Sequence, residues 1–222
     1  MTTNTVIRGG IALLSGALLA ACAGEEIPTE IDRGLAGSAG AGVQAYEAAL
    51  RSVNLEHGYR AAAGRVRIEV DGDRLAVVVE ARGLQPGDRH AVDLRGFPAG
   101  ARGACPSAAA DLDGDGLVRS SEMTPFAGPV LLSLDGDPAD GWTDAAGFPR
   151  ASGPEGSIVW ERIGSRAEMA AEIEAAYGPA ARLLPLDGRQ IVIHGAARDA
   201  RLPEGVTAAT VPVACGELRR VR

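Results

Sequence analysis

The stretch DLDGDGLVRSSE, residues 111–122, sets carboxylates at its first, third, fifth and twelfth positions and a glycine at its sixth. Calcium takes six to eight oxygens at flexible geometry. Asp111, Asp113 and Asp115 can each give a side-chain oxygen, Leu117 its backbone carbonyl, and Glu122 two oxygens that close the shell. Gly116 permits the sharp bend that brings the later ligands round. Zinc or copper would call for nitrogen or sulfur in these places. The ninth position holds Arg119, which cannot accept a hydrogen bond and is expected to lie over a water or to point away. An acidic turn that holds no ion is the plainer alternative. Asp135-Gly136-Asp137 lacks a closing glutamate at the right spacing and reads as a turn alone.

Imidazole is scarce. The chain has three histidines, of which His90 and His194 lie in strand-like stretches and His57 in the loop sequence NLEHGY, where it is expected to be exposed. Other chemistries lack their parts. No GxSxG elbow occurs, and no Ser or Cys nucleophile has a histidine at motif spacing. No GxxxxGK[ST] phosphate loop is present either. A formal charge of -7 removes any compositional case for nucleic acid or for an anionic membrane surface, both of which select basic patches.

The elements that must position these residues are short and turn-rich, in keeping with 30 Gly and 13 Pro in 222 residues. RVRIEV (65–70) and RLAVVVEAR (74–82) read as strands joined through Asp71-Gly72-Asp73, a hairpin signal. HAVDL (90–94), PVLLSL (129–134), SIVWERI (157–163), QIVIH (190–194) and TVPVA (210–214) read as further strands. GLQPGD, GPEGS and PLDGR lie between them as turns. Several short strands with such punctuation predict a mostly β fold, a β-sandwich. One inserted helix is predicted, opened by the capping box of Ser165 and Glu168, with Met169, Ile173 and Ala176 on one face and Gly178-Pro179 at its end. The flanks of the acidic loop differ from those of a helical EF-hand, because CPSAAA is too short for an entering helix and Pro125 cuts the exit short. A structural ion in a loop between strands is expected, not a sensor.

The N-terminus has a short basic start with Arg8, an apolar run from Ile11 to Ala20, and Leu19-Ala20-Ala21-Cys22, which resembles a bacterial lipobox. Residues 1–21 then form a lipoprotein signal peptide, and Cys22 carries the lipid. Residues 22–42 form a flexible tether, and 43–222 the folded domain. The product is exported and membrane-anchored, at the outer membrane, periplasm or cell surface. Ala23 after the cysteine favours the outer of two membranes. Two cysteines remain, Cys105 and Cys215, and in an oxidising compartment a bridge is the simple arithmetic, with zinc ligation as the rival.

From Ala45-Tyr46 through Ala49-Leu50 and Asn54, then GRVRIEVDGDRLAVVVEARGLQPGDRHAVDLRGFPAG, CPSAAADLDGDG, PVLLSL, FPRASGPEGSIVWER, GRQIVIHG and PVACGEL, the chain resembles bacterial CHRD-type domains, across almost the whole of residues 43–218. These are similar to the Cu/Zn superoxide dismutase sandwich, and GLQPGDRH, Cys105, IVIHG and ACGEL resemble that enzyme's stretches. The resemblance implies a Greek-key β-sandwich and a Cys105–Cys215 bridge; where that enzyme binds zinc, this sequence places the EF-hand-type calcium loop instead. The resemblance also implies copper and zinc, which need about six imidazoles. His90 and His194 fall on matching positions, but Asp93 and Arg95 stand where further histidines belong, and Arg95 cannot ligate. Calcium is therefore the expected cofactor, and copper and zinc are not. His90, Asp93 and His194 leave room for a weak second metal site; the plainer reading makes them imidazoles bonded across the sheet, with Asp93 paired to Arg95 or a neighbour. A non-catalytic envelope module, binding or structural, is expected; a binding module for an extracellular protein or glycan is a further reading. A dismutase-like or copper-binding protein with a degenerate site is the alternative.

Overall fold

Alternation of apolar and charged residues along RVRIEV decides which way that strand faces: Val66, Ile68 and Val70 are buried while Arg65, Arg67 and Glu69 point outward. The computed structural model describes residues 42–134 and 147–221. The signal segment, Cys22, all of the tether but its last residue, and the turn at Asp135-Gly136-Asp137 lie outside the described residues. The strands are β1 (Gln44–Ser52), β2 (Ala63–Asp71), β3 (Arg74–Arg82), β4 (Val92–Arg95), β5 (Val130–Ser133), β6 (Ile158–Ser165), β7 (Gln190–His194), β8 (Pro212–Glu217) and β9 (Arg219–Arg220). The helices are α1 (Ser120–Ala127) and α2 (Arg166–Tyr177).

One antiparallel sheet runs in the order β5-β4-β7-β8-β1-β2-β3-β6, with β9 added beside β1. It curls on itself. Tyr46 and Leu50 of β1, Val77 and Val79 of β3, Leu94 of β4 and Ile191 and Ile193 of β7 share one buried apolar cluster, so the two halves of the sheet enclose a common core. The protein is mostly β, a curled antiparallel sandwich with two helices, as the strand pattern predicts.

The Asp71–Arg74 pair closes the expected hairpin over Gly72 and Asp73, with Gly72 at φ 58°. Helix α2 begins where predicted: Ser165 Oγ accepts from the Glu168 amide at 3.2 Å, and Gly178 caps the other end. Met169 and Ile173 enter the core, whereas Ala176 is exposed, so the apolar stripe is narrower than expected. Three elements depart from the sequence reading, the smallest being the two-residue β9 beside β1. The stretch QAYEAALRS is rich in residues of good helical propensity, yet it forms β1 because it pairs with β2 along its length and with β8 at one end. The third is α1, which runs through Pro125 where the sequence expected no lasting exit helix. The helix is short, and the Arg95 side chain holds it at both ends, donating to the Ser120 and Gly128 carbonyls.

Candidate metal centre

Residues 105–128 lie across the outward face of the β7–β8 pair and bring their own small core. Ala110, Val118, Met123 and Ala127 of that segment pack with Val53, Val192 and Cys215 in a second buried cluster. The segment is tied to the sheet by covalent and polar links. Cys105 and Cys215 form a disulfide with a Cα–Cα distance of 5.8 Å, joining the pair for which bridging and zinc ligation were the two readings. Asn54 supplies the polar link. Its side-chain amide donates to the Val118 carbonyl at 2.8 Å and to the Pro212 carbonyl at 2.9 Å, and its Oδ1 accepts from the Val118 amide at 2.8 Å. The side chain thus pairs with the eighth residue of the loop as a neighbouring strand would. Asn54 is also the only non-glycine residue with positive φ among the described residues, at φ 54°. Asparagine tolerates that region better than most residues.

Within the loop, Gly114 and Gly116 take φ 75° and 85°, the left-handed turns that fold the acidic residues together. Asp111 accepts from the amides of Gly114 at 2.8 Å, Asp115 at 3.2 Å and Gly116 at 2.9 Å. Asp113 Oδ1 accepts from the Asp115 amide at 3.2 Å, and Asp115 Oδ1 from the Leu117 amide at 2.9 Å. Leu117 itself is fully buried in the main core, which holds the seventh position in place. Oxygens bonded at about 2.5 Å to one ion lie no more than about 5 Å apart. One ligand oxygen from each of Asp111, Asp113 and Asp115 meets that condition, all three within 4.8 Å of one another.

Glu122, at the twelfth position, is nearly buried. Its Oε1 accepts from the amides of Leu112 at 2.7 Å and Asp113 at 3.3 Å, and its Oε2 from the Arg119 amide at 2.7 Å. It binds the loop's two ends together and opens α1, so its carboxylate is turned to the loop's own backbone. Arg119 departs from expectation. Its guanidinium turns inward, donating to Asp113 Oδ2 at 3.0 Å and to Asp115 Oδ2. His57, expected to be exposed, is half-buried, and its Nε2 lies 3.3 Å from the Gly116 carbonyl.

Beneath this segment lies a buried polar layer on the outward face of β4 and β7. Fully buried Asp93 and His194 meet at 2.9 Å through Oδ2 and Nε2, and His194 Nδ1 lies 3.1 Å from the Thr210 carbonyl. His90 Nδ1 lies 2.8 Å from the His194 carbonyl and its Nε2 3.2 Å from the Gln85 carbonyl. Gly195 makes room for this contact, since a Cβ there would stand 2.5 Å from His90 Nδ1. The imidazoles are bonded across the sheet, with each ring nitrogen turned to an oxygen. Asp93 takes His194 as its hydrogen-bond partner, not Arg95. Asp93 Oδ1 and Ser133 Oγ, on paired residues of β4 and β5, are buried without a hydrogen-bond partner among the described residues. Arg95, 2% exposed, carries its fixed charge under α1; burial pushes its guanidinium down from the ordinary value while Asp93 pulls the other way.

The positioning roles of Asn54, His57 and Arg95 escape a reading by motif. The signal for Asn54 was its residue type, one of the few that combine a left-handed backbone with an amide side chain.

No family model and no curated protein matches the chain. Among solved structures, it is similar to a SOD-like protein from Bacillus subtilis, with 19% identity and a TM-score of 0.37 over 77% of this chain and 96% of that one. A single-substitution mutant of that protein gives 18% identity and a TM-score of 0.40 over 78% of this chain and 97% of that one. A double mutant gives 18% and 0.39, over 78% and 96%.

Proposed function

We propose that the chain is a lipid-anchored cell-envelope protein whose CHRD-like, superoxide dismutase-like domain is calcium-stabilised and non-catalytic, serving as a binding or structural module. The observation that carries the calcium reading is the convergence of Asp111, Asp113 and Asp115 oxygens within 4.8 Å, on a loop fastened to the sheet by a disulfide and by Asn54. Anchoring at Cys22 rests on Leu19-Ala20-Ala21-Cys22 and the apolar run before it. The disulfide is consistent with an oxidising compartment. The non-catalytic reading rests on Arg95, a fixed cation in the buried layer, and on two imidazoles whose nitrogens face carbonyl or carboxylate oxygens. The tether favours an extracellular protein or glycan as the partner.

Calorimetry tests the calcium reading. Calcium at about ten times Kd adds about 1.4 kcal/mol to the folded state, and the melting temperature should exceed that in chelator by about 3–6 °C. An unchanged melting temperature defeats it. The second reading, a copper-binding or dismutase-like protein with a degenerate site, is favoured by one feature: Asp93 Oδ1 is buried without a partner beside His194. Stoichiometric copper retained through gel filtration after loading, lost in Asp93→Asn, would establish that reading; calcium alone in the same inventory would leave the first.

A further inference from the structure

The acidic loop already holds a cation of its own. Each of its four carboxylates accepts from backbone amides, but Asp113 Oδ2 and Asp115 Oδ2 accept from none among the described residues, and both are taken by the Arg119 guanidinium. These are the oxygens best placed to turn to an ion. The match between arginine and loop is incomplete, because Arg119 Nε is buried without a hydrogen-bond partner among the described residues. The side chain also has somewhere else to go. Arg119 lines an open groove of about 220 Å³ together with Ser120, Ser121 and Thr210, where water or hydroxyls can receive its donors.

We infer that Arg119 is the resident counter-ion of the 111–122 loop and that calcium binds by exchange with its guanidinium, an inference that rests on the calcium reading of the loop. A monovalent ion brings no more charge than the guanidinium it must displace. A divalent ion brings twice as much, so the exchange selects for charge as well as for oxygen geometry. Two partly exposed contacts must break as the ion enters, so the arginine lowers the loop's calcium affinity. Arg119 thereby sets the threshold at which the loop fills.

Titration calorimetry of the purified full chain with calcium chloride, comparing wild type, Arg119→Gln and Arg119→Lys, tests this. Arg119→Gln should bind calcium about tenfold more tightly, the effect of removing one unit charge from beside a divalent ion in a partly exposed site. Arg119→Lys should stay near the wild type because it keeps the charge. Equal affinity in wild type and Arg119→Gln overturns the counter-ion role and leaves the calcium reading standing. Absence of binding by both up to about 10 mM, well above the weakest class of calcium module, overturns the calcium reading itself. Should Arg119→Gln fail to fold, the Arg119 Nε–H resonance of the wild type decides. A shift on calcium addition is expected, and an unmoved resonance at saturating calcium refutes the exchange.

Discussion

The loop of residues 111–122 and the polar layer around Asp93 and His194 are both built from groups able to hold a metal, and they differ in what their lone pairs face. In the loop, Asp113 and Asp115 stay partly open to solvent and turn one oxygen each toward the partly exposed Arg119 guanidinium. In the layer beneath, Asp93 and His194 are sealed from water and bonded to each other, while the other ring nitrogens lie against backbone carbonyls. Ligand-capable residue types therefore do not define a metal site. A site also needs several donor oxygens that converge on one point, as those of Asp111, Asp113 and Asp115 do within 4.8 Å.

Breaking the buried layer should have the largest effect. His194→Ala leaves the Asp93 carboxylate sealed without its hydrogen-bond partner, and an unsatisfied buried carboxylate costs about 3 kcal/mol or more. The loss should appear equally in calcium and in chelator, read as a fall in urea midpoint at constant slope. A loss confined to calcium-containing buffer would make His194 part of the ion site and erase the contrast.

Asn54 tests whether the loop is a separate device or part of the sheet. Asn54→Gly keeps the left-handed backbone and removes three hydrogen bonds, one to the Val118 amide, one to the Val118 carbonyl and one to the Pro212 carbonyl. A cost of about 2 kcal/mol is expected, since the Val118 groups are left to find other partners. Amide exchange at Val118 should accelerate more than exchange in β3. Uniform acceleration across the sheet would mean that Asn54 supports the whole fold and not the loop in particular.

How much of this contrast was legible in sequence follows from the range of the forces involved. Local signals carried the β2–β3 hairpin, the Ser165 cap of α2 and the spacing of the three aspartates, because each depends on residues only a few positions apart. The β1 strand was hidden because Ala, Glu and Leu favour helix locally, and pairing with β2 overrides them. Helix α1 was hidden for a similar reason: Pro125 argues against it, and the Arg95 side chain that supports it comes from a strand 25 residues away from its first contact, Ser120. The inward turn of Arg119 follows from two unsatisfied carboxylate oxygens, which residue spacing alone does not reveal.

Asp113→Asn should sharpen the comparison from the side of the loop. The Arg119 contact it weakens is partly exposed, and pairs of that kind contribute about 0–1 kcal/mol, so stability in chelator should barely change. The calcium-dependent rise in melting temperature should shrink or vanish, since a carboxylate is exchanged for a weaker neutral donor. A variant that melts as the wild type does in both buffers would remove Asp113 from the ligand set.

The smallest effect is expected at a carboxylate that resembles the loop's in bonding but stands alone. Asp73, in the β2–β3 turn, accepts from the Ser165 hydroxyl at 2.7 Å and the Ala167 amide at 2.8 Å, and so braces the start of α2. The Ser165 bond, followed by the Ala167 bond, holds its carboxyl below the ordinary value. The sign follows: the charged form is favoured in the folded state, so the contribution is present above the unfolded value near pH 4 and is lost as pH falls through the lower folded value. Asp73→Asn should flatten that part of the acid limb of stability and leave the calcium response at neutral pH untouched. Asp73 stands outside the Asp111, Asp113 and Asp115 cluster, the one group of metal-capable carboxylates that converge among the described residues. If Asp73→Asn also weakened calcium binding, the ion would be held outside the 111–122 loop, and the contrast between converging and isolated carboxylates would have to be redrawn.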